Sequence, residues 1–265
     1  MPPRRGISRP VDLAKLEQLP PERQAALLSE SWVVPDLVEA GAAGRTLDVI
    51  ERLAPDQQVA VLTGPGVVLA LSRANEAQRT LRIVEKLPPE GREAVVMSLG
   101  AVQGLARDGG AGAMRLAVER LDAHKQAVVL AAPYAVDALA RHGEAPGILD
   151  LIAKLPDEAR AAALSADGAI EGLSERGLAS RTMTAIEGLP RELQARALAI
   201  DSGVDALARH GEARRIVALI ENFAPEERSN VLSARGAQGG LAASGHSADA
   251  ARLRPPPEGG KARGR

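Results

Sequence analysis

The chain contains no cysteine, so it forms no disulfide and no thiolate metal site, and its compartment cannot be read from redox chemistry. Aromatic residues are almost missing: one Trp, one Tyr and one Phe in 265 residues. Large rings cannot fill the interior, so Ala, Leu and Val must, and small side chains imply close helix approach. Charge of one sign is missing too. Lys and Arg number 33 against 34 Asp and Glu, a net of -1 that gives no general pull toward polyanions. No apolar run is long enough to span a membrane. The N-terminal MPPRRGISRP is basic but has no apolar stretch behind it, so it is not a secretory signal. Neither a phosphate-binding glycine loop nor a G-x-S-x-G nucleophile motif occurs. The expectation is a protein without catalytic residues, metal or cofactor.

What the chain has is a period. LPPERQ begins at Leu19, and variants of it return every 34 residues, opening at Leu53, Leu87, Leu121, Leu155, Leu189 and Phe223. Seven starts without a slip mean one supersecondary unit copied in tandem, and such a unit buries its apolar face only by stacking on its neighbours. Numbering the slots from Leu19 as slot 1, slot 4 is acidic in six units: Glu22, Asp56, Glu90, Glu158, Glu192 and Glu226, with His124 the exception. Pro usually precedes it. Pro and an acid both suit the first turn of a helix, so slots 2–11 read as a short helix.

Slot 19 is Leu in all seven units, including Leu105, Leu139 and Leu173, and slot 16 is apolar in six. Three apart, they share one helical face. Slot 23 is Gly in six units and Asn75 in the other, the residues that accept the left-handed conformation closing a helix. A second helix is therefore expected over slots 14–22 and a third over slots 25–34. The expected fold is all-α: a right-handed α-solenoid of seven 34-residue repeats over residues 19–250, about three short helices each, capped by a helix at 11–18. Residues 1–10 and 251–265 are basic and Pro-rich and are expected to be disordered tails, either plainly solvated or used for targeting or docking. VDALARHGEA occurs at Val136–Ala145 and again at Val204–Ala213, two periods later, which points to duplication of a two-unit block.

Slots that recur are core, and slots that vary are candidates for recognition. Slots 12–14 vary most and form the loop between the first and second helices; Trp32, Leu99, Tyr134, Asp167, Asp201 and Arg235 fall there. Trp32 and Tyr134 occupy slot 14, where other units have Gly or Ser. A position that accepts both Gly and Trp is expected to be loosely packed, so they read as exposed anchors, more than half accessible, or else as local packing. Arg forms rows at slot 21 (Arg73, Arg107, Arg141, Arg209) and slot 27 (Arg45, Arg79, Arg181, Arg215), and Glu forms one at slot 33 (Glu51, Glu85, Glu119, Glu187, Glu221). Rows of opposite sign either pair between units or leave an Arg ladder for an acidic partner or phosphates. His142 and His210 stand just before a closing Gly, where the helix dipole explains them.

The openings LAPDQQVAVLT (Leu53–Thr63), LPPERQAALLS (Leu19–Ser29) and FAPEERSNVLS (Phe223–Ser233), with Gln103-Gly104-Leu105 in matching register, resemble the repeat of TAL effectors and their bacterial TALE-like relatives over slots 1–19. The resemblance implies that slot 13 contacts a DNA base, which here means Ser31, Pro65, Leu99, Pro133, Asp167, Asp201 and Arg235. The chain departs from that pattern in three ways. Slot 16, where the family has a donor facing phosphate, is Val34, Val68, Val102, Val136 and Ile170; slot 23 Gly cuts the second helix; and the net charge is near zero. Gly104–Leu116 has a lesser likeness to pentatricopeptide repeats, and the three-helix style to armadillo and HEAT repeats. The expected function is a non-enzymatic protein-interaction scaffold or adaptor, monomeric, with a protein partner and no membrane. Nucleic acid, read by TALE-like repeats, is the alternative. The Ala, Gly and Arg richness suits a GC-rich bacterial genome. That suggests the cytoplasm of the producing cell, or an effector translocated into a host.

Overall fold

In the computed structural model, which describes residues 11–253, every regular element is helical. The two expected tails lie outside these residues except for 251–253, which continue the last helix, Ser247–Leu253. The chain divides between Ala117 and Val118 into two compact parts, a boundary the regular period does not announce.

A cap helix, Leu13–Leu16, starts on the Asp12 carboxylate, which accepts from the Ala14 and Lys15 amides. Each unit then repeats one local programme. The first helices (Pro21–Leu28, Pro55–Leu62, Pro89–Val96, Ala123–Leu130, Asp157–Leu164, Arg191–Leu198, Pro225–Ser233) begin at or beside Pro in every unit but that of Ala123–Leu130, and those six have an acid in the first turn. The unit that lacks the slot 4 acid caps the helix with the Asp122 side chain instead. Its carboxyl is held below the usual range, chiefly by the Lys125 amide. Slot 6 is Gln or Arg in every unit. Gln126 Nε2 donates to the carbonyls of Glu119 (3.1 Å) and Leu121 (2.9 Å), and Gln194 Nε2 to Glu187 (2.9 Å) and Leu189 (2.8 Å). These donors satisfy carbonyls stranded at the end of the preceding third helix.

Slot 23 is left-handed in all seven units, from Gly41 (φ 79°) and Asn75 (φ 64°) to Gly143 (φ 101°), Gly211 (φ 95°) and Gly245 (φ 86°). In four units the chain passes from second to third helix through a wide turn around this residue, as at Ala140–Glu144 and Ala208–Glu212. The second helices are shorter than expected: Val67–Leu71, Ala101–Leu105, Ala135–Leu139, Ala169–Leu173 and Gly203–Leu207 have five residues each. They start at slot 15 because slot 14 is itself left-handed in six units, which no helix can include. The third helices, such as Ala43–Arg52, Ala77–Lys86, Ala145–Lys154 and Ala213–Asn222, fill slots 25–34.

Within each part, like packs on like. First helix lies against the next first helix and second against the next second, both in residues 19–105 and in residues 123–243. Leu71, Leu105, Leu139, Leu173, Leu207 and Leu241 of slot 19 are fully buried in these stacks. Slot 18 reads Ala70, Gly104, Ala138, Gly172, Ala206, Gly240, and this alternation has a steric cause. A Cβ on Gly172 would sit 2.8 Å from Asp137 Cα, and one on Gly240 would sit 2.5 Å from Asp205 Cα. At Gly104 it would meet Ser72 Oγ at 2.8 Å. The second helix of every other unit thus lies with its backbone against the unit before it, which accounts for small side chains without aromatics.

Gly239 and Gly240 are neighbours in one helix with opposite environments: a Cβ on Gly239 meets nothing within 4 Å. Gly239→Ala should therefore stabilise by about 0.5–1 kcal/mol through helix propensity. Gly240→Ala should destabilise by about 1–3 kcal/mol through overpacking. Urea denaturation of the two variants measures both.

Candidate interaction ridge

Slots 12–15 form a turn closed by the same hydrogen bond in every unit. The slot 15 amide donates to the slot 12 carbonyl at Val33–Glu30 (3.0 Å), Val67–Gly64 (3.1 Å), Ala101–Ser98 (3.1 Å), Ala135–Ala132 (3.2 Å), Ala169–Ala166 (3.0 Å), Gly203–Ile200 (3.3 Å) and Ala237–Ala234 (3.1 Å). Slot 14 has φ/ψ of 74°/0° at Gly66, 80°/0° at Gly100, 59°/9° at Tyr134, 75°/-6° at Gly168, 62°/-5° at Ser202 and 87°/-20° at Gly236. This is the third position of a type II turn, which favours Gly there and Pro just before it. Pro65-Gly66 fits that preference fully, and Pro133 does so in front of Tyr134. The first unit departs: Trp32 has φ -102° and stays right-handed. Gly at slot 14 therefore answers a backbone demand and does not mark loose packing, which corrects the inference from Gly–Trp interchange.

The second position of such a turn stands outermost. Slot 13 is exposed in all seven units: Ser31, Pro65, Leu99, Pro133, Asp167, Asp201 and Arg235. Leu99 is the most open of the large apolar side chains at 64%. Trp32 at 40% and Tyr134 at 47% fall short of the half exposure expected of free anchors. Tyr134 is placed by three constraints. Its backbone is left-handed without being Gly, its amide donates to the Asp167 carbonyl of the next turn (3.0 Å), and its ring lies over Gly168, where a Cβ would come within 3.1 Å of it. Ser202 repeats the arrangement two units on, donating to the Arg235 carbonyl (2.8 Å), while the Asp201 carboxylate accepts from the Arg235 amide (3.0 Å). Asp201 thus has a structural task that its variability hides.

The Arg rows divide. At slot 21, Arg141 pairs with Asp137 (2.6 Å) and Arg209 with Asp205 (2.7 Å) within one helix, and Arg141 also reaches Glu175 (3.8 Å). Arg73 and Arg107 have no ion pair among the described residues. At slot 27 the pairing runs between units, as one of the two sequence readings held. Arg45 bonds Glu17 (2.6 Å), Arg79 bonds Glu51 (2.7 Å) and Asp48 (2.6 Å), and Arg215 bonds Glu187 (2.5 Å). Arg181 takes Asp150 (2.5 Å) in place of a slot 33 acid, which its neighbour lacks. Slot 16 faces inward: Val34, Val68, Val102, Val136, Ile170 and Val204 are buried.

Among the described residues no three His, Asp or Glu side chains gather as metal ligands would, and no helix is long and apolar enough to cross a membrane. The chain matches no family model, no curated protein and no solved structure.

Two outcomes follow. If slot 14 is a conformational requirement, Ser202→Gly should be at least as stable as the parent. Ser202→Val should lose about 1–2 kcal/mol, since a branched side chain resists the left-handed region, and chemical denaturation distinguishes the two. The Arg79 hydrogen bond holds Glu51 below the ordinary carboxylate range. A depressed carboxyl contributes stability above its unfolded pKa and loses it as pH falls through the folded one. Glu51→Gln should therefore cost at most about 1 kcal/mol near neutrality for this half-exposed pair, and the difference should vanish between about pH 5 and pH 3.

Proposed function

We propose that the chain is a non-enzymatic protein-interaction scaffold, built as an α-solenoid of seven 34-residue units whose slot 12–15 turns present the partner-facing residues. The observation that carries this reading is slot 13. It is exposed in every unit, held by a hydrogen-bonded turn, and chemically different along the chain: Ser31, Pro65, Leu99, Pro133, Asp167, Asp201, Arg235. Recurrent geometry with variable chemistry is how a repeat protein presents a specific surface on a common frame.

Tyr134 supports the reading in energetic terms. A left-handed Tyr is strained by about 1–2 kcal/mol relative to a relaxed residue, and folding alone would be served by Gly. Its backbone is pinned and its ring already seated, so little conformational freedom is left to lose on binding. Leu99 offers apolar area to a partner without contributing to the buried stack.

In six of the seven units slot 16 is buried and apolar and offers phosphate no donor, and the charge balance provides no attraction to a polyanion. The test compares the parent with a Leu99→Ser/Tyr134→Gly double variant. Protein partners captured by the parent from a bacterial lysate should be lost by the variant while its melting temperature stays within a few degrees. Duplex DNA should bind neither protein tightly at moderate salt. Tight DNA binding that falls steeply with salt would overturn the scaffold reading in favour of a sequence-reading repeat.

A further inference from the structure

Within residues 118–253 the interfaces between successive units are of two kinds. Between the units opening at Leu121 and Leu155, the turns are tied by Tyr134 N–H to Asp167 C=O (3.0 Å), and the second helices close backbone to backbone at Gly172. Between the units opening at Leu189 and Phe223, the same ties recur: Ser202 N–H to Arg235 C=O (2.8 Å), Arg235 N–H to Asp201 (3.0 Å), and Gly240 against Asp205. Ser244 Oγ adds a bond to the Ala208 carbonyl (3.0 Å).

Between the units opening at Leu155 and Leu189, none of these is present. No bond joins the turns at Gly168 and Ser202, and slot 18 is Ala206. The polar ties of this interface are concentrated on the third-helix edge, where Arg215 reaches Glu187 (2.5 Å), Thr184 Oγ1 (3.0 Å), Ser180 O (3.3 Å) and Ser180 Oγ (3.3 Å), while Glu212 (2.9 Å) holds its guanidinium from behind; the other two interfaces carry Arg181–Asp150 and Arg252–Glu221 on that edge in addition to their turn ties. On the first-helix edge a long ion pair, Arg196–Glu158 (3.6 Å), crosses the seam, as Arg191–Glu227 (3.5 Å) crosses the next interface. A cleft of about 480 Å³ lies along the first helices of three successive units, from Ser165 past Ala199 and Ile200 to Glu227 and Asn230. At the tied Leu121/Leu155 interface a cleft of about 280 Å³ lies on the opposite edge, at Leu149, Ala153, Ser180 and Thr184.

We infer that the seam between the units opening at Leu155 and Leu189 is a built-in hinge. Residues 121–188 and 189–253 move as two rigid pairs, pivoting at Arg215 and opening along the first helices and turns. Main-chain hydrogen bonds and glycine-mediated contact tolerate no separation without breaking. The half-buried Arg215 guanidinium has several acceptors within reach and can exchange among them while the far edge widens. The consequence is a spacing rule: Pro133–Asp167 and Asp201–Arg235 are fixed pairs, and the Asp167–Asp201 separation is adjustable. The inference is independent of which partner the turns take.

The absence of cysteine allows spin labels to be placed cleanly at exposed slot 13. Three full-length double variants, Pro133→Cys/Asp167→Cys, Asp167→Cys/Asp201→Cys and Asp201→Cys/Arg235→Cys, read the three separations by pulsed dipolar spectroscopy. The middle pair should give a distance distribution about twofold broader than the other two. The third pair also checks that loss of the Asp201 carboxylate does not itself loosen the turn. Arg215→Ala should broaden the middle distribution further and leave the outer two unchanged, with Arg215→Lys in between. Equal widths for all three pairs would overturn the hinge, as would an Arg215→Ala effect shared equally among them.

Discussion

Helices of four to ten residues are too short to persist alone in water, and this constraint governs the whole molecule. Within each compact part the repeated helices gain their stability from like helices of neighbouring units. The slot 19 leucines, buried without exception from Leu71 to Leu241, are where that dependence is concentrated. A short helix also offers little apolar width, so neighbours must come close. Ala, Val and Gly permit this and aromatic rings would not. The scarcity of Trp, Tyr and Phe and the Ala/Gly alternation at slot 18 are thus two sides of one requirement.

The second constraint is chain reversal. The chain must turn sharply between successive helices, and it does so at left-handed residues, slot 23 in all seven units and slot 14 in six. Slot 23 is left to Gly or Asn. Slot 14 is where Tyr134 and Ser202 tolerate strain, and both gain a main-chain bond to the next turn in return. The turn that reverses the chain also lifts slot 13 into solvent, so the surface proposed for recognition is a by-product of the geometry that lets units stack.

Much of this was legible in the sequence. The slot 23 residues marked the helix ends because left-handed backbone has few acceptable side chains, and the Pro-acid openings marked helix starts because few residues suit a first turn. The pairing of Arg79 with Glu51 and of Arg215 with Glu187 was one of the two readings that rows of opposite sign allowed. Slot 14 was misread, because Gly there reports a torsion angle and not free space. Asp201 looked like a recognition residue although it accepts from the Arg235 amide. Gln126 and Gln194 gave a signal in their recurrence at slot 6, yet only geometry shows which carbonyls they serve. The steric meaning of Gly172 and Gly240 depends on Asp137 and Asp205, each 35 residues earlier, and no local pattern carries that.

The central claim is that stability passes between neighbouring units and is not held in one shared core. Hydrogen exchange of a Leu173→Ala variant tests it most directly. Removing this fully buried side chain should cost about 2–5 kcal/mol locally. Protection should fall most in residues 155–188, less in 121–154 and 189–222, and stay unchanged in 19–52. A uniform loss of protection from residue 19 to residue 253 would contradict the account.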